Sequence, residues 1–423
     1  MKHVITILLS SVMFFAGPMG LAQDKKQIRI DLWEQDSPEV GDEMDKWIAV
    51  FQRSHPNIRI VRQHYENEEM RTKYLRSSVT GDGADIVYGP NDIAGVFVTA
   101  GVIQAVDDLI PAGKFDQTAV DVTKLDGKIW GVPLSVGNHL LLYYNKKLAA
   151  KAPETFEDLI KVGKESMKGK SNHYGLAMYQ SEPFWFLPFL GAFGGWPLKK
   201  EGDRVEVTLD TPESRSALEY LISLKDEHKI MPQDCDYECA KTMFLSGRAP
   251  FHINGDWEIT TYKEKFGDQL GIAPLPKIAS QDRYVTPIVG GRYLFINANA
   301  KDERLEAINT FVKFLSEPAI QVRLATRLNR IPSTLEARNH PQVKSLETLD
   351  ELTKTVEHAK PSPSEVEMRA AWDGLRIMVQ RGMAGREKVA EATKTGQKAA
   401  NEALQALRTE DKKNKTVTKP ATN

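Results

Sequence analysis

The chain has 423 residues, and its 56 Lys and Arg against 57 Asp and Glu give a formal charge of −1 with His neutral. So even a balance excludes the basic surface of a nucleic-acid binder and provides no field to steer a polyanion. The length accommodates two or three domains, each with its own core.

Met1 to Ala22 carries Lys2 and His3, an apolar run from Val4 to Phe15, a turn at Gly17-Pro18 and the small-residue ending Gly20-Leu21-Ala22. This is the pattern of a secretory signal peptide cut after Ala22, and the run falls short of the roughly 20 residues of a spanning helix. No Cys follows the cut, so the expectation is a periplasmic or secreted protein without a lipid attached there.

Strands and helices then alternate and predict α/β layers around mostly parallel sheets. Ile28 to Trp33 reads as a first strand, after which Met44, Trp47, Ile48 and Phe51 recur at helical spacing. A strand from Ile58 to Val61, a helix from Glu68 to Val79, the stop Gly81-Asp82-Gly83 and a strand from Asp85 to Tyr88 complete a βαβαβ unit. His139 to Tyr144 reads as a strand buried on both faces. Helices are predicted over Thr155 to Met167, Pro212 to Lys229, Glu238 to Leu245 and Asp256 to Phe266. Strands return at Gly271 to Ala273 and Tyr293 to Ile296. Five helices follow, over Asp302 to Leu315, Pro318 to Leu328, Pro341 to Val356, Ser364 to Arg381 and Arg386 to Leu407. Residues 409 to 423 are polar and Lys-rich, the composition of a disordered tail.

Several chemistries find no foothold. There is no Gly-x-Ser-x-Gly elbow, no phosphate loop and no His-Glu-x-x-His, so neither a nucleotide cofactor nor a metal is expected. Cys235 and Cys239 lack further His or Cys at ligand spacing. An oxidising compartment allows them to pair, subject to the local backbone of a tight loop.

What recurs instead is an aromatic ring beside a polar acceptor at a strand end or helix start. Trp33 is followed by Glu34, Gln35 and Asp36, Tyr88 precedes Asn91-Asp92, Glu182 precedes Phe184-Trp185, and Trp372 precedes Asp373. The run Phe251 to Glu258 breaks at Asn254-Gly255 and restarts as a helix at Asp256-Trp257. Ligands in open α/β sheets gather where strand ends meet helix starts, so Trp257 either meets a ligand there or staples the helix into the core. Asp256 reads as a helix-start acid favoured by the dipole. Asp92 and Glu182 each have a capping or dipole role open to them as well. A sugar suits such a set, since its CH faces stack on rings while its hydroxyls need carboxylate and amide partners.

In their order and spacing, several segments resemble the solute-binding proteins of ABC importers, within the sugar-binding cluster that includes maltose-binding protein. Residues 80–87, Thr-Gly-Asp-Gly-Ala-Asp-Ile-Val, are similar to the family's TGDGPDI, and 142–146, Leu-Tyr-Tyr-Asn-Lys, to its IYNK strand. Residues 153–159 match its P-x-T-W-E-E helix start, 247–257 its GxxAMxINGPW and 371–376 its FWYAVR. The resemblance covers nearly all of the chain after residue 22. It implies a two-lobed type II binding-protein fold, each lobe a mostly parallel sheet flanked by helices and joined by a hinge of several crossovers. Lobe 1 would comprise 23–136 plus 294–330, and lobe 2 would comprise 137–293 plus 331–408.

The resemblance also implies a monomer that is no enzyme, closing on a sugar or oligosaccharide and docking on an ABC permease in the membrane. Trp257 and Trp372 match family stacking tryptophans, Asp92 and Glu182 match hydroxyl-accepting carboxylates, and Phe184 matches a tyrosine whose ring is kept without its hydroxyl. Glu34, Gln35 and Asp36 fall where the family places polar contacts. Arg292, after Gly290-Gly291, would sit near the cleft, where it could hold hydroxyls or a carboxylate or form an interlobe or surface ion pair. Gly89, Ile93, Gly137-Asn138 and Ile259 stand where the maltose binder has Trp, Arg, Glu and Trp, which implies a smaller or differently shaped sugar. Two competing readings are a glycoside hydrolase using Asp92 and Glu182, and a binding protein read by a chemoreceptor.

Overall fold

A computed structural model describes residues 27–202 and 204–417. The expected leader and its cut after Ala22 lie outside the described residues.

Two sheets organise the chain. The first has seven strands, in the order Ile331–Pro332, Val132–Gly137, Ile288–Ile296, Ile86–Pro90, Ile28–Glu34 and Ile58–His64, with Lys360–Pro361 paired to Ile288–Ile296. The second has four, ordered Leu270–Ala273, Leu140–Asn145, Phe251–Gly255 and Leu176–Met178. Both are mixed, which corrects the expectation of mostly parallel sheets. Ile28–Glu34 runs parallel to both its neighbours, but Ile288–Ile296 is antiparallel to Ile86–Pro90 and Val132–Gly137. In the second sheet Leu140–Asn145 is antiparallel to both its neighbours. The antiparallel pairs join strands distant in sequence, such as Ile288–Ile296 with Ile86–Pro90 and Val132–Gly137, where no local crossover fixes the direction.

Strand period decides where the cores sit. Leu140 and Leu142 enter one cluster with Phe186, Phe189 and Leu375, while Leu141 and Tyr143 enter another with Tyr262 and Ile272. Successive side chains thus leave opposite faces of a sheet covered on both sides. In the first sheet Ile30 and Leu32 join Trp47, Phe51 and Phe311, while Trp33 and Val87 pack with Tyr74 and Phe97.

Helices Asp302–Leu315 and Pro318–Leu328 form as the periodicity predicts. Two other expectations change. The helix expected over 341–356 is broken into Pro341–Lys344 and Glu347–Thr355 by an extended Leu346. The last helix runs Val389–Val417, into the stretch read as a disordered tail; residues 418–423 lie outside the described residues.

The two sheets meet at a compact polar hinge. Gly137 has φ 144, and a Cβ there would lie 2.0 Å from Asp256 Oδ2, so only glycine allows that carboxylate to approach. Asp256 opens the short helix Asp256–Glu258, as expected of a helix-start acid, and its carboxylate also accepts the Asn138 backbone N–H at 3.2 Å and lies 3.7 Å from Arg330 Nη1. Arg330 in turn reaches Asp36 at 3.2 Å.

Candidate functional site

A cleft of about 820 Å³ opens beside this hinge, lined from both sheets. Its walls come from the carboxyl ends of strands, where loops and helix N-termini converge. Gln35 and Asp36 follow Ile28–Glu34, Asp92 follows Ile86–Pro90, and Glu182 and Phe184 come after Leu176–Met178. Trp257 follows Phe251–Gly255. Arg292 comes from the middle of its strand, where the register shifts between Arg292 and Tyr293 against Val132–Gly137. Such a bulge re-aims a side chain. On helix Glu367–Met383, Arg369, Trp372 and Arg376 share one face at helical spacing and line the cleft together.

The aromatic wall is contiguous. Phe184 lies 6.0 Å from Trp257 and 6.2 Å from Trp372 between ring centroids, and all three rings are half-buried against the core of the second sheet. Trp185 beneath them is fixed instead by its Nε1 donating to Ile253 O at 2.8 Å. Asn254 sets the junction that carries Trp257: its Oδ1 accepts the Gly255 N–H at 2.8 Å and its Nδ2 donates to the Tyr262 hydroxyl at 2.9 Å.

The opposite wall is acidic, with guanidinium groups set among the carboxylates. Burial pushes the Asp92 carboxyl above its ordinary value, against the pull of Arg71 and Arg292. Although surrounded by protein, the side chain opens onto the cleft and receives no hydrogen bond from another described residue. On the aromatic side, at the start of the helix that carries Phe184, burial likewise raises Glu182, with Arg376 opposing. Carboxylates so placed gain from hydroxyl donors that restore their lost hydration. On helix Asn67–Val79, burial and the nearby Arg369 pull down the Arg71 guanidinium, which pairs with Glu68.

The structure brings Gln35, Asp36, Asp92, Glu182, Phe184, Trp257, Arg292 and Trp372 to one cleft. Glu34 does not reach it, which corrects its assignment as a ligand contact. Its carboxylate is buried, accepting Arg62 Nη1 at 2.5 Å and the Asp36 N–H at 2.8 Å, with His64 Nδ1 at 3.2 Å. Alternation turns Glu34 towards its strand neighbour while Gln35 faces the cleft. Asp36 lines the cleft but is held by Arg292 at 3.2 Å and Arg330 at 3.2 Å. Burial pushes its carboxyl up, and the two arginines outweigh this to leave it below the ordinary range. Arg292 thus forms an ion pair, but a buried one with the end of a strand of its own sheet, neither between lobes nor at the surface.

Sequence reasoning missed Tyr237. Its hydroxyl accepts Trp257 Nε1 at 2.9 Å and donates to Glu258 Oε1 at 2.5 Å, and Lys241 reaches the same oxygen at 2.9 Å. The available signal was a Tyr enclosed by Cys235 and Cys239, which are joined by a disulfide with Cα atoms 5.3 Å apart. Among the described residues no group of three or more His, Cys, Asp or Glu is arranged to hold a metal ion.

Two layered lobes with one aromatic and acidic cleft at their hinge define a two-lobed binding protein of the type II architecture. Residues 46–351 match the family described as bacterial extracellular solute-binding protein, and the chain belongs to that family. It is 33% identical to a maltose/maltodextrin-binding domain from Bdellovibrio bacteriovorus solved bound to maltotriose, with a TM-score of 0.83 over 89% of this chain and 100% of that one. A maltotriose-binding protein of Pyrococcus abyssi is 26% identical over 353 residues, 82% of this chain and 76% of that protein. A maltodextrin-binding protein of Bacillus subtilis is 26% identical over 304 residues, 70% of each chain.

Proposed function

We propose that the cleft captures a neutral oligosaccharide, a short glucose oligomer of the maltotriose class, and that the protein hands it to an ABC importer. The observation that carries this reading is the gathering, in one cleft, of the rings of Phe184, Trp257 and Trp372 with the carboxylate of Glu182 beside them and that of Asp92 facing them. Rings take the apolar sugar faces and carboxylates take the hydroxyls. Relatives named for maltotriose and maltodextrin add weight to the choice of sugar. The departures at Gly89, Ile93 and Ile259 favour a short oligomer over a long one.

Binding would draw the lobes together, since a sugar touching both walls stabilises the closed form over the open one. On this reading the protein is a monomer working in the periplasm after removal of residues 1–22, and it releases the sugar unchanged to the permease. Isothermal calorimetry of residues 23–423 against glucose, maltose, maltotriose and longer maltodextrins tests this. Saturable binding that peaks at two to four glucose units is expected. A folded protein that binds none of the panel would sink the reading, and reducing sugar released from bound maltotriose would replace it with hydrolysis.

A further inference from the structure

We propose that the Cys235–Cys239 disulfide is a positioning device for the ligand platform, holding Trp257 and Glu258 in place through Tyr237 and Lys241. This rests on the oligosaccharide reading of the cleft.

The bridge encloses the start of helix Tyr237–Leu245. Cys235 precedes the N-cap Asp236, and Cys239 is the residue whose N–H donates to Asp236 Oδ1 at 2.8 Å. The first turn is thus fastened twice, by a cap and by a covalent link. Cys235 is buried with Ala177, Ala240, Met243 and Ala249, and its carbonyl accepts the Gln180 N–H at 3.4 Å. The turn is thereby anchored to the end of strand Leu176–Met178.

From that turn Tyr237 and Lys241, four residues apart on one helical face, both reach Glu258 Oε1. Tyr237 in the same bond set receives the indole N–H of Trp257. Two successive residues of the cleft wall are therefore held by one helix start. Glu258 Oε2 is buried with no partner among the described residues, so the position of this carboxylate beside the stacking ring is fixed from one side only. A bridge over so few residues removes little entropy from the unfolded chain compared with one closing a long loop. Its location beside the platform accounts for it better than global stability does.

The test is maltotriose affinity by calorimetry for the wild type, Cys235→Ser/Cys239→Ser, Tyr237→Phe and the triple variant. Freeing one or two side chains that binding must refreeze costs roughly 5- to 20-fold in affinity. That loss is expected on removing the bridge from the wild type and is expected to shrink in the Tyr237→Phe background, where Lys241 alone still ties the helix to Glu258. Equal loss in both backgrounds, or none in the first, overturns the proposal. Should the serine pair not fold in the apolar surroundings of Cys235, the alanine pair replaces it. Tyr237→Phe, which leaves bridge and core intact, must itself weaken binding; wild-type affinity there also overturns the proposal. A ligand-free readout separates this failure from that of the sugar assignment. Acrylamide quenching of Trp257, taken as the difference between each protein and its Trp257→Phe counterpart, should rise when the bridge is absent. Unchanged quenching overturns the proposal whatever the wild type binds.

Discussion

The indole of Trp257 folds back over Gly255: a Cβ on Gly255 would stand 2.2 Å from Trp257 Cη2. The Asn-Gly step before the aromatic is thus the space the ring occupies, while the Gly255 carbonyl, taken by the Tyr143 hydroxyl at 2.8 Å, fixes the backbone below it. Gly255→Ala must push the ring away from its seat. The expected result is a loss of about tenfold in maltotriose affinity, ~1.4 kcal/mol, with an overpacking penalty of roughly 1–3 kcal/mol in stability. Calorimetry and urea unfolding measure the two effects separately, and intact affinity in a destabilised variant would mean that the seat of the ring does not matter to binding.

Trp372 and Trp185 make a contrasting pair. Trp372 is half-exposed in the cleft, whereas Trp185 is 6% exposed and hydrogen-bonded to the strand beneath. Trp372→Ala should weaken maltotriose binding by roughly 1–3 kcal/mol and alter unfolding little. Trp185→Ala should cost roughly 3–5 kcal/mol of stability through the cavity it leaves. Trp257→Ala belongs with Trp372, at roughly 1–3 kcal/mol of binding. Because Phe184 touches both rings, the double variant should fall short of additivity. If Trp372→Ala instead lowers stability and leaves binding alone, the ring is core.

Arg330 is buried between Asp36, at 3.2 Å, and Asp256, at 3.7 Å, so one guanidinium serves carboxylates from the ends of strands in both sheets. Arg330→Met leaves Asp256 buried without an arginine, while Asp36 keeps Arg292. Breaking such a set is expected to cost about 3–5 kcal/mol, and Asp256→Asn in the same chain should restore part of it. Urea midpoints of the single and double variants decide this. A midpoint within error of the wild type for Arg330→Met would show that the hinge charges are balanced elsewhere.

Much of the cleft was legible because its residues sit at local signals. Trp257 follows an Asn-Gly break, Asp92 follows a strand and Trp372 lies on an amphipathic helix, and each local pattern survives folding. Misreadings came where distant residues decide. Glu34 is claimed by Arg62 and His64 on the neighbouring strand, and Asp36 by arginines 256 and 294 residues away. No window of sequence contains those partners. The mixed sheets have a similar cause, since Ile288–Ile296 runs antiparallel to strands more than 140 residues earlier in the chain. Asp256 does stand at a helix start, but its further partners Asn138 and Arg330 lie far off in the chain and were equally out of sight.

His252 couples this architecture to pH. Its Nδ1 donates to Ala177 O at 2.9 Å, so Nε2 accepts from the Tyr262 hydroxyl at 2.8 Å, and that hydroxyl receives Asn254 Nδ2. The network suits a neutral ring, and burial pulls the imidazole down to about 4. An unfolded chain takes this proton near pH 6.5, so between those values the unfolded state binds more protons and stability falls as pH falls. The full effect is about 3 kcal/mol, present above pH 6.5 and lost by about pH 4. His139, buried and also lowered by burial, adds in the same direction. Calorimetric unfolding between pH 7.5 and 4.5 should show this decline, and His252→Gln should be less stable at pH 7.5 but decline less steeply. An equal slope in the variant would remove His252 from the pH response. Because Asn254 holds both Tyr262 and the Gly255 N–H, protonation there should also disturb the seat of Trp257, so maltotriose affinity is expected to hold down to about pH 5, to fall only as the pH approaches about 4, and to fall less in His252→Gln.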